Sequence, residues 1–356
     1  MKISLCMIVK DEEKVLARCL ESAKEFADEI IVVDTGSQDR SMKIAQSYTP
    51  FLYTYVWHDD FSAARNFAFS KATGDYLLWL DADDIIPEKS LKLAPTLREM
   101  LEKEQPDMVM CPYDIAFDEA GKPCTTFFRE RFMRRDKNFI WQGRVHECIA
   151  PHGKIARCDF RISHLGSDKV RGRRNLHIYQ KWAAEELLSP RDKFYYGREL
   201  YYHKLYTEAI AVLEDMLSGD GWYVNKIDAC RVLCQAYYYA NDRKMAYTAL
   251  FRSFLYGEPR AFILCEIANL FREDGKQREA IYWYEAALSC RDHSAEGDFE
   301  EPAAHTLTPL LGLVCSHHAL GEFDKALEYH KKTEELFPTH PSVLYNRKFF
   351  EDIGLL

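Results

Sequence analysis

The sequence predicts an α/β, Rossmann-like domain with a mostly parallel sheet, followed by an all-α helical repeat. Three observations carry this reading. Short apolar runs alternate with helical stretches up to about residue 165; that rhythm stops after about residue 170; and an alanine then returns at the start of alternate helices.

Ile3 to Val9 ends abruptly in Lys10-Asp11-Glu12-Glu13 with no small-residue cleavage site after it, so it reads as a buried strand rather than a secretory signal. A helix over Glu13 to Lys24 places Val15, Leu16, Cys19 and Leu20 on one face. Glu29 to Val33 is a second strand, Thr35-Gly36-Ser37 a turn, and a helix starts near Ser41. Phe51 to Val56 is a third strand. Phe61 to Ala72 is helical and halts at Gly74, and Tyr76 to Leu80 is a fourth strand that runs directly into Asp81. Strands this uniformly apolar suit a parallel sheet covered on both faces.

In the second half, Ala209, Ala246, Ala280 and Ala326 are separated by 37, 34 and 46 residues. Each follows a polar turn: Lys204-Leu205-Tyr206, Asn241-Asp242-Arg243, Asp274-Gly275-Lys276 and Leu320-Gly321-Glu322. Close helix crossing needs a small side chain at the same point of each unit, which favours a solenoid over an ordinary bundle. The pattern resembles the tetratricopeptide repeat, a helix-turn-helix unit of about 34 residues. Cys290 to Pro302 reads as an inserted loop in the longest interval.

The 356 residues have room for two domains, and 47% hydrophobic with 29% charged residues is a globular composition. A formal net charge of -9 argues against a general nucleic-acid binder. No segment approaches the roughly 18 apolar residues of a transmembrane helix. The eleven scattered cysteines, Cys230 and Cys234 among them, read as reduced thiols of a cytoplasmic protein rather than zinc ligands.

The chemistry concentrates at Asp81-Ala82-Asp83-Asp84. Carboxylates crowded at a strand end repel one another unless a cation shares the site, and oxygen ligands suit Mg²⁺ or Mn²⁺. Ligands of open α/β sheets bind beyond the carboxyl ends of the strands, where this cluster lies. The structural alternative is a helix N-cap, with Asp83 or Asp84 opening a helix through Pro87. Strands one and two deliver Lys10-Asp11-Glu12 and Asp34 to the same edge, and Ala64-Arg65-Asn66 lies in the helix leading to the fourth strand.

In order and spacing, Ser4 to Glu12, Ile31 to Ser37, Ala64-Arg65-Asn66 and Asp81-Ala82-Asp83 resemble glycosyltransferase family 2, of the GT-A fold. The resemblance implies a catalytic domain over 1–170, a linker helix over 171–190 and tetratricopeptide-like repeats over 191–356. It implies a nucleotide-sugar pocket walled by Val9, Lys10, Asp11 and Glu12, with Asp34 at the base, Arg65 near the nucleotide or diphosphate, and Asp81 and Ala82 near the ribose. Asp83 would coordinate a divalent metal, with His164 as a further ligand. Arg65 could instead pair with Asp59 or Asp60.

Trp141-Gln142-Gly143-Arg144-Val145-His146-Glu147 resembles a stretch of the branch of that family with tetratricopeptide tails. Glu147 is the candidate base that takes the acceptor proton, with His146 as orienter or alternative. A structural alternative pairs Glu147 with Arg144 or Arg131, and Asp114 and Asp118 are further candidate bases. Lys169 to Arg174 could close over the diphosphate or form a solvated helix start. Trp141 suits core packing more than a sugar face.

The function implied is an inverting, metal-dependent hexosyl- or N-acetylhexosaminyltransferase. It would move sugar from a nucleotide-sugar, expected to be UDP-linked, to a protein or peptide held by the repeats. Two alternatives stand beside it: a transferase building lipid-linked or cell-surface glycan, with repeats used for homodimerisation or docking, and a decayed transferase acting as a scaffold. A nucleotidyltransferase is disfavoured because Lys10 to Glu13 replaces the Gly-rich loop it needs.

Overall fold

The structure, a computed structural model, describes residues 1–117, 121, 123–166, 172–293 and 301–356. Asp118, Lys169 and Arg171 of the basic run, and 294–300 of the insert lie outside the described residues. The chain divides into two compact units, Met1–Glu185 and Glu186–Leu356.

The first unit begins β1 (Ile3–Val9), α1 (Leu16–Ala23), β2 (Glu29–Asp34), α2 (Ser41–Gln46), β3 (Leu52–Thr54), α3 (Phe61–Lys71) and β4 (Tyr76–Trp79). The four strands are parallel in the order β3-β2-β1-β4. Alternate residues feed separate cores. Leu5, Met7, Val9, Val32 and Leu78 face one, and Cys6, Ile31, Val33, Leu77 and Trp79 the other. Burial on both sides is why these strands read as continuous apolar runs.

The unit continues with β5 (Asp84–Ile85), α4 (Glu88–Leu91), α5 (Ala94–Lys103), β6 (Met108–Phe117), β7 (Pro123–Arg134), β8 (Trp141–Gln142), β9 (Cys148–Ile149), β10 (Ile155–Arg157), β11 (Ile162–His164) and α6 (Arg174–Glu185). Here the sheet becomes mixed, since β7 runs antiparallel to both β4 and β6 and β5 antiparallel to β11. Only 118–122 join β6 to β7, too few for the crossover that parallel neighbours require. The last helix of the unit, α6, buries Leu176, Ile178, Tyr179 and Trp182.

The second unit is helical: α7 (Pro190–Tyr202), α8 (Tyr206–Ser218), α9 (Tyr223–Tyr239), α10 (Arg243–Arg252), α11 (Ala261–Glu273), α12 (Gln277–Leu288), α13 (Leu307–Ala319), α14 (Phe323–Leu336) and α15 (Pro341–Asp352). The recurring alanines start α8, α10, α12 and α14, and all four are fully buried. Five residues before each, Lys204, Asn241, Gly275 and Gly321 take left-handed φ values of 61°, 61°, 73° and 73°. The next residue's N–H then bonds back to the preceding helix: Leu205 to Leu200, Asp242 to Tyr237, Lys276 to Phe271 and Glu322 to His317. One helix-stop motif thus closes every pair, which confirms the tetratricopeptide-like reading of the alanine spacing.

Only the last two units place glycine where the left-handed φ is free of Cβ strain. Lys204→Gly is therefore expected to raise stability by about 0.5–1 kcal/mol, after the glycine's extra chain entropy offsets part of the relieved strain. Urea unfolding measures it; a lowered midpoint would refute the account. Asn241→Gly should gain less, because asparagine tolerates this region.

Among the described residues no helix is long and apolar enough to cross a membrane. None of the eleven cysteines is in a disulfide.

Candidate active site

The sheet order reverses at β1, with β2 and β3 on one side and β4 on the other, and a cavity of about 310 Å³ opens at that switch point. It is lined by the end of β1 (Val9, Lys10, Glu12), the end of β4 (Asp81, Ala82, Asp83), Arg65 of α3, and His146 and Glu147. Nine of the twelve site residues expected from sequence therefore meet in one place.

Asp11, Asp34 and His164 do not line it. The Asp34 carboxylate accepts from the N–H groups of Gly36 and Ser37, closing its own turn, while neighbouring Thr35 faces the cavity. Asp11 accepts from Gln38 N–H. His164 stands behind the acid cluster, its Nδ1 3.1 Å from Asp84 and 3.5 Å from Asp83.

Asp84 does not cap a helix. It is fully buried, ion-paired with the equally buried Arg131 at 3.2 Å, and accepts from the Tyr113 hydroxyl at 2.8 Å. An unpaired buried carboxylate would be far costlier than a lost cap, so the distant arginine decides its place. Pro87 caps the following helix instead, without a side-chain bond.

Arg65 pairs with neither Asp59 nor Asp60. Asp60 caps α3 through Ala63 N–H, and Asp59 binds Lys181. The Arg65 guanidinium packs against both the Trp79 and Trp141 rings, 5.1 and 4.8 Å from their centroids. Its Nη2 donates to Asp81 and its Nε to Glu147, each at 2.6 Å. Glu147 is thus held by Arg65, not by Arg144 or Arg131; Arg144 pairs with Glu185. Asn66 explains its own place in the motif. Its side chain exchanges two hydrogen bonds with the backbone of Trp141, and Phe61 N–H donates to Arg144 C=O. These bonds fasten α3 to the strand and turn that carry Glu147. Trp141 is buried against Trp79 and Phe69, as core packing required.

His146 adopts φ 51°, a left-handed conformation uncommon for non-glycine residues and adopted most readily by asparagine, aspartate and histidine. The sharp turn brings Val145, His146 and Glu147 to the cavity wall in succession. One Glu147 oxygen is bound by Arg65, and the other receives no hydrogen bond among the described residues.

Electrostatics separate the carboxylates. Burial pushes the Asp81 carboxyl up, but the charge and hydrogen bond of Arg65 outweigh it and hold it below the usual range. The Asp83 carboxyl is pushed up, by burial and then by the charges of Asp81 and Asp84, with His164 opposing. The His164 imidazole is raised, first by its hydrogen bond to Asp84. Ligand atoms of Asp83, Asp84 and His164 lie within 4.8 Å of one another. Oxygen-rich donors with a surplus of negative charge fit a hard divalent cation, with Asp83 the carboxylate least committed to protein partners.

Asp114 is buried and accepts from Thr126 and Arg161, apart from the cavity lining. Trp57, Thr35, Phe61, Arg174 and Asn175 also line the cavity. Of these, Arg174 was marked in sequence by its basic run and Thr35 only as a turn residue; nothing local marked Trp57.

Removing Arg65 strands two carboxylates at once. Arg65→Met is expected to destabilise the first unit by about 3–5 kcal/mol, read from urea unfolding. An unchanged midpoint would mean Asp81 and Glu147 do not depend on it.

Residues 4–159 match the family model for glycosyl transferase family 2. A TPR repeat-containing protein of Synechococcus elongatus is 40% identical over 149 residues, covering 42% of this chain and 35% of that protein. The SPbeta prophage-derived glycosyltransferase SunS of Bacillus subtilis is 27% identical over 247 residues, covering 65% of this chain and 58% of its own length. The chain therefore spans about a third and somewhat over half of these relatives. Among solved structures, S. aureus TarS 1-349 in complex with UDP aligns over 72% of this chain and 89% of its own at 16% identity, with a TM-score of 0.38. The chain carries a glycosyl transferase family 2 domain in its first unit, followed by tetratricopeptide-like helical repeats.

Proposed function

We propose that this protein is an inverting, metal-dependent glycosyltransferase that moves a sugar from a nucleoside-diphosphate donor to a protein or peptide acceptor. The observation that carries it is the convergence of Asp83 and Glu147 on one cavity at the switch point of the sheet. Asp83, as ligand of a cation, suits a donor diphosphate and Glu147 suits an acceptor, so the two halves of a displacement have separate residues.

In this reading Asp83 and His164 would hold a divalent cation, which would supply charge neutralisation for the diphosphate leaving group. Glu147, pinned through one oxygen by Arg65, takes the acceptor proton with its other oxygen as the new glycosidic bond forms. The paired Trp79 and Trp141 rings keep Arg65, and through it Glu147, from changing rotamer. Asp81 accepts from the same guanidinium.

A peptide-type acceptor is supported by the second unit. Repeats of this kind present extended surfaces for peptide segments, and Tyr202, Tyr238 and Tyr239 are exposed at the ends of α7 and α9. Incubating the protein with UDP-sugars and Mn²⁺ should give slow, metal-dependent release of UDP. Absence of both UDP binding and metal-dependent thermal stabilisation would sink the enzyme reading.

A further inference from the structure

Two cations of the cavity, Lys10 and Arg174, are not used by any step above, and Arg174 is the one set on an aromatic ring. Arg174, the first residue of α6, lines the cavity beside Asn175. It lies beyond residue 159, where the family match ends. Its guanidinium rests on the Phe61 ring, 4.7 Å from the centroid, and Phe61 is buttressed edge-on by Trp57 at 4.8 Å. Both aromatic residues also line the cavity.

The two arginines of the cavity differ in what they hold. Arg65 spends Nη2 on Asp81 and Nε on Glu147. Arg174 has no ion pair among the described residues, and its one polar contact is a 3.5 Å bond from Nε to Asn175 Oδ1. Glu12 and Glu147 act on it only through their fields, and burial holds its pKa below the ordinary arginine value. A guanidinium remains charged under any such shift. The wall therefore carries a full positive charge, a guanidinium whose Nη groups make no hydrogen bond among the described residues, set on an aromatic ring.

Such a fork pairs with two oxygens of a phosphate or a carboxylate through parallel N–H donors, and in a pocket read as holding a nucleoside diphosphate the phosphate is the matching group. A diphosphate entering a cavity that already holds Glu12, Asp81, Asp83 and Glu147 meets repulsion that one divalent cation offsets only in part. We propose that Arg174 is a phosphate-binding residue of the cavity, which grips the diphosphate of the nucleotide from the wall formed by Phe61 and α6. The proposal rests on the nucleotide-sugar reading above. It adds to that reading a contact that no metal ligand supplies, made by a residue outside the matched family region.

The test titrates uridine and UDP, each with Mn²⁺, into the full-length protein and into Arg174→Ala and Arg174→Lys, by calorimetry. Arg174→Ala is expected to weaken UDP on the order of 10- to 100-fold, the range for losing a charge-assisted hydrogen-bonded contact, and to leave uridine unchanged. Arg174→Lys should recover part of the loss, since an ammonium replaces the charge but not the fork. Equal weakening of UDP and uridine would overturn the proposal by showing a general effect on the pocket. Unchanged UDP affinity in Arg174→Ala would overturn it too, while leaving the nucleotide-sugar reading intact. A wild-type protein that binds no UDP would overturn both.

Discussion

Glu147→Gln is expected to lower sugar transfer by about 10²- to 10⁴-fold, the usual worth of a positioned general base, while UDP binds as before. Glutamine keeps the size of the side chain and can still accept the Arg65 Nε–H bond through its amide oxygen. It cannot take a proton. The substitution therefore isolates basicity from packing, which alanine would not. The expectation rests on the Glu147 oxygen that receives no hydrogen bond among the described residues, whose lone pairs are open to the acceptor proton. Transfer assays under saturating donor, beside UDP calorimetry, separate the two quantities. Full transfer by the glutamine variant would remove Glu147 from the mechanism. Asp114 is then a poor substitute, since its carboxylate is buried beneath Thr126 and Arg161.

Asp83→Ala should act on the other half of the cavity. Its expected effect is loss of Mn²⁺-dependent UDP binding by more than about 100-fold, given that supporting residues around metal ligands alone are worth 10- to 100-fold. Asp84 cannot compensate, because Arg131 and Tyr113 already use its oxygens. The same substitution should not lower the melting temperature of the metal-free protein. Burial and the neighbouring carboxylates disfavour the ionised Asp83, so its removal relieves repulsion. A thermal scan with and without Mn²⁺ reads both effects. Metal-dependent stabilisation that survives in Asp83→Ala would place the cation elsewhere.

The sequence made some of this legible for local reasons. Strands buried on both faces leave unbroken apolar runs, so β1, β2 and β4 could be read directly, and the carboxylates that follow them fell at one sheet edge. The alanines of α8, α10, α12 and α14 were legible because each repeat has the same crossing. What escaped depends on partners far apart in the chain. Asp84 looked like a cap because nothing near it in sequence announces Arg131, which comes 47 positions later. Arg65 invited a pairing with nearby Asp59 or Asp60 because its actual partner, Glu147, lies 82 positions away. Asp34 looked like a contact to the nucleotide base, yet its oxygens close a turn only two and three residues on, a choice set by backbone geometry that residue type alone does not fix. The antiparallel β7 was missed because its exposed outer half has no apolar run.

The recurrent left-handed turns have a consequence for how the second unit comes to be made. Each turn ties residues only five apart, so every helical pair can close its own hairpin before any distant segment arrives. Contacts of such short sequence separation cost little loop entropy and form quickly. Assembly can then spread from neighbour to neighbour, with stability accumulating roughly as a sum over adjoining pairs. An array built this way can gain or lose a pair without refolding the others, and so can change length between descendants while the α/β unit, whose strands pair out of chain order, must keep every strand.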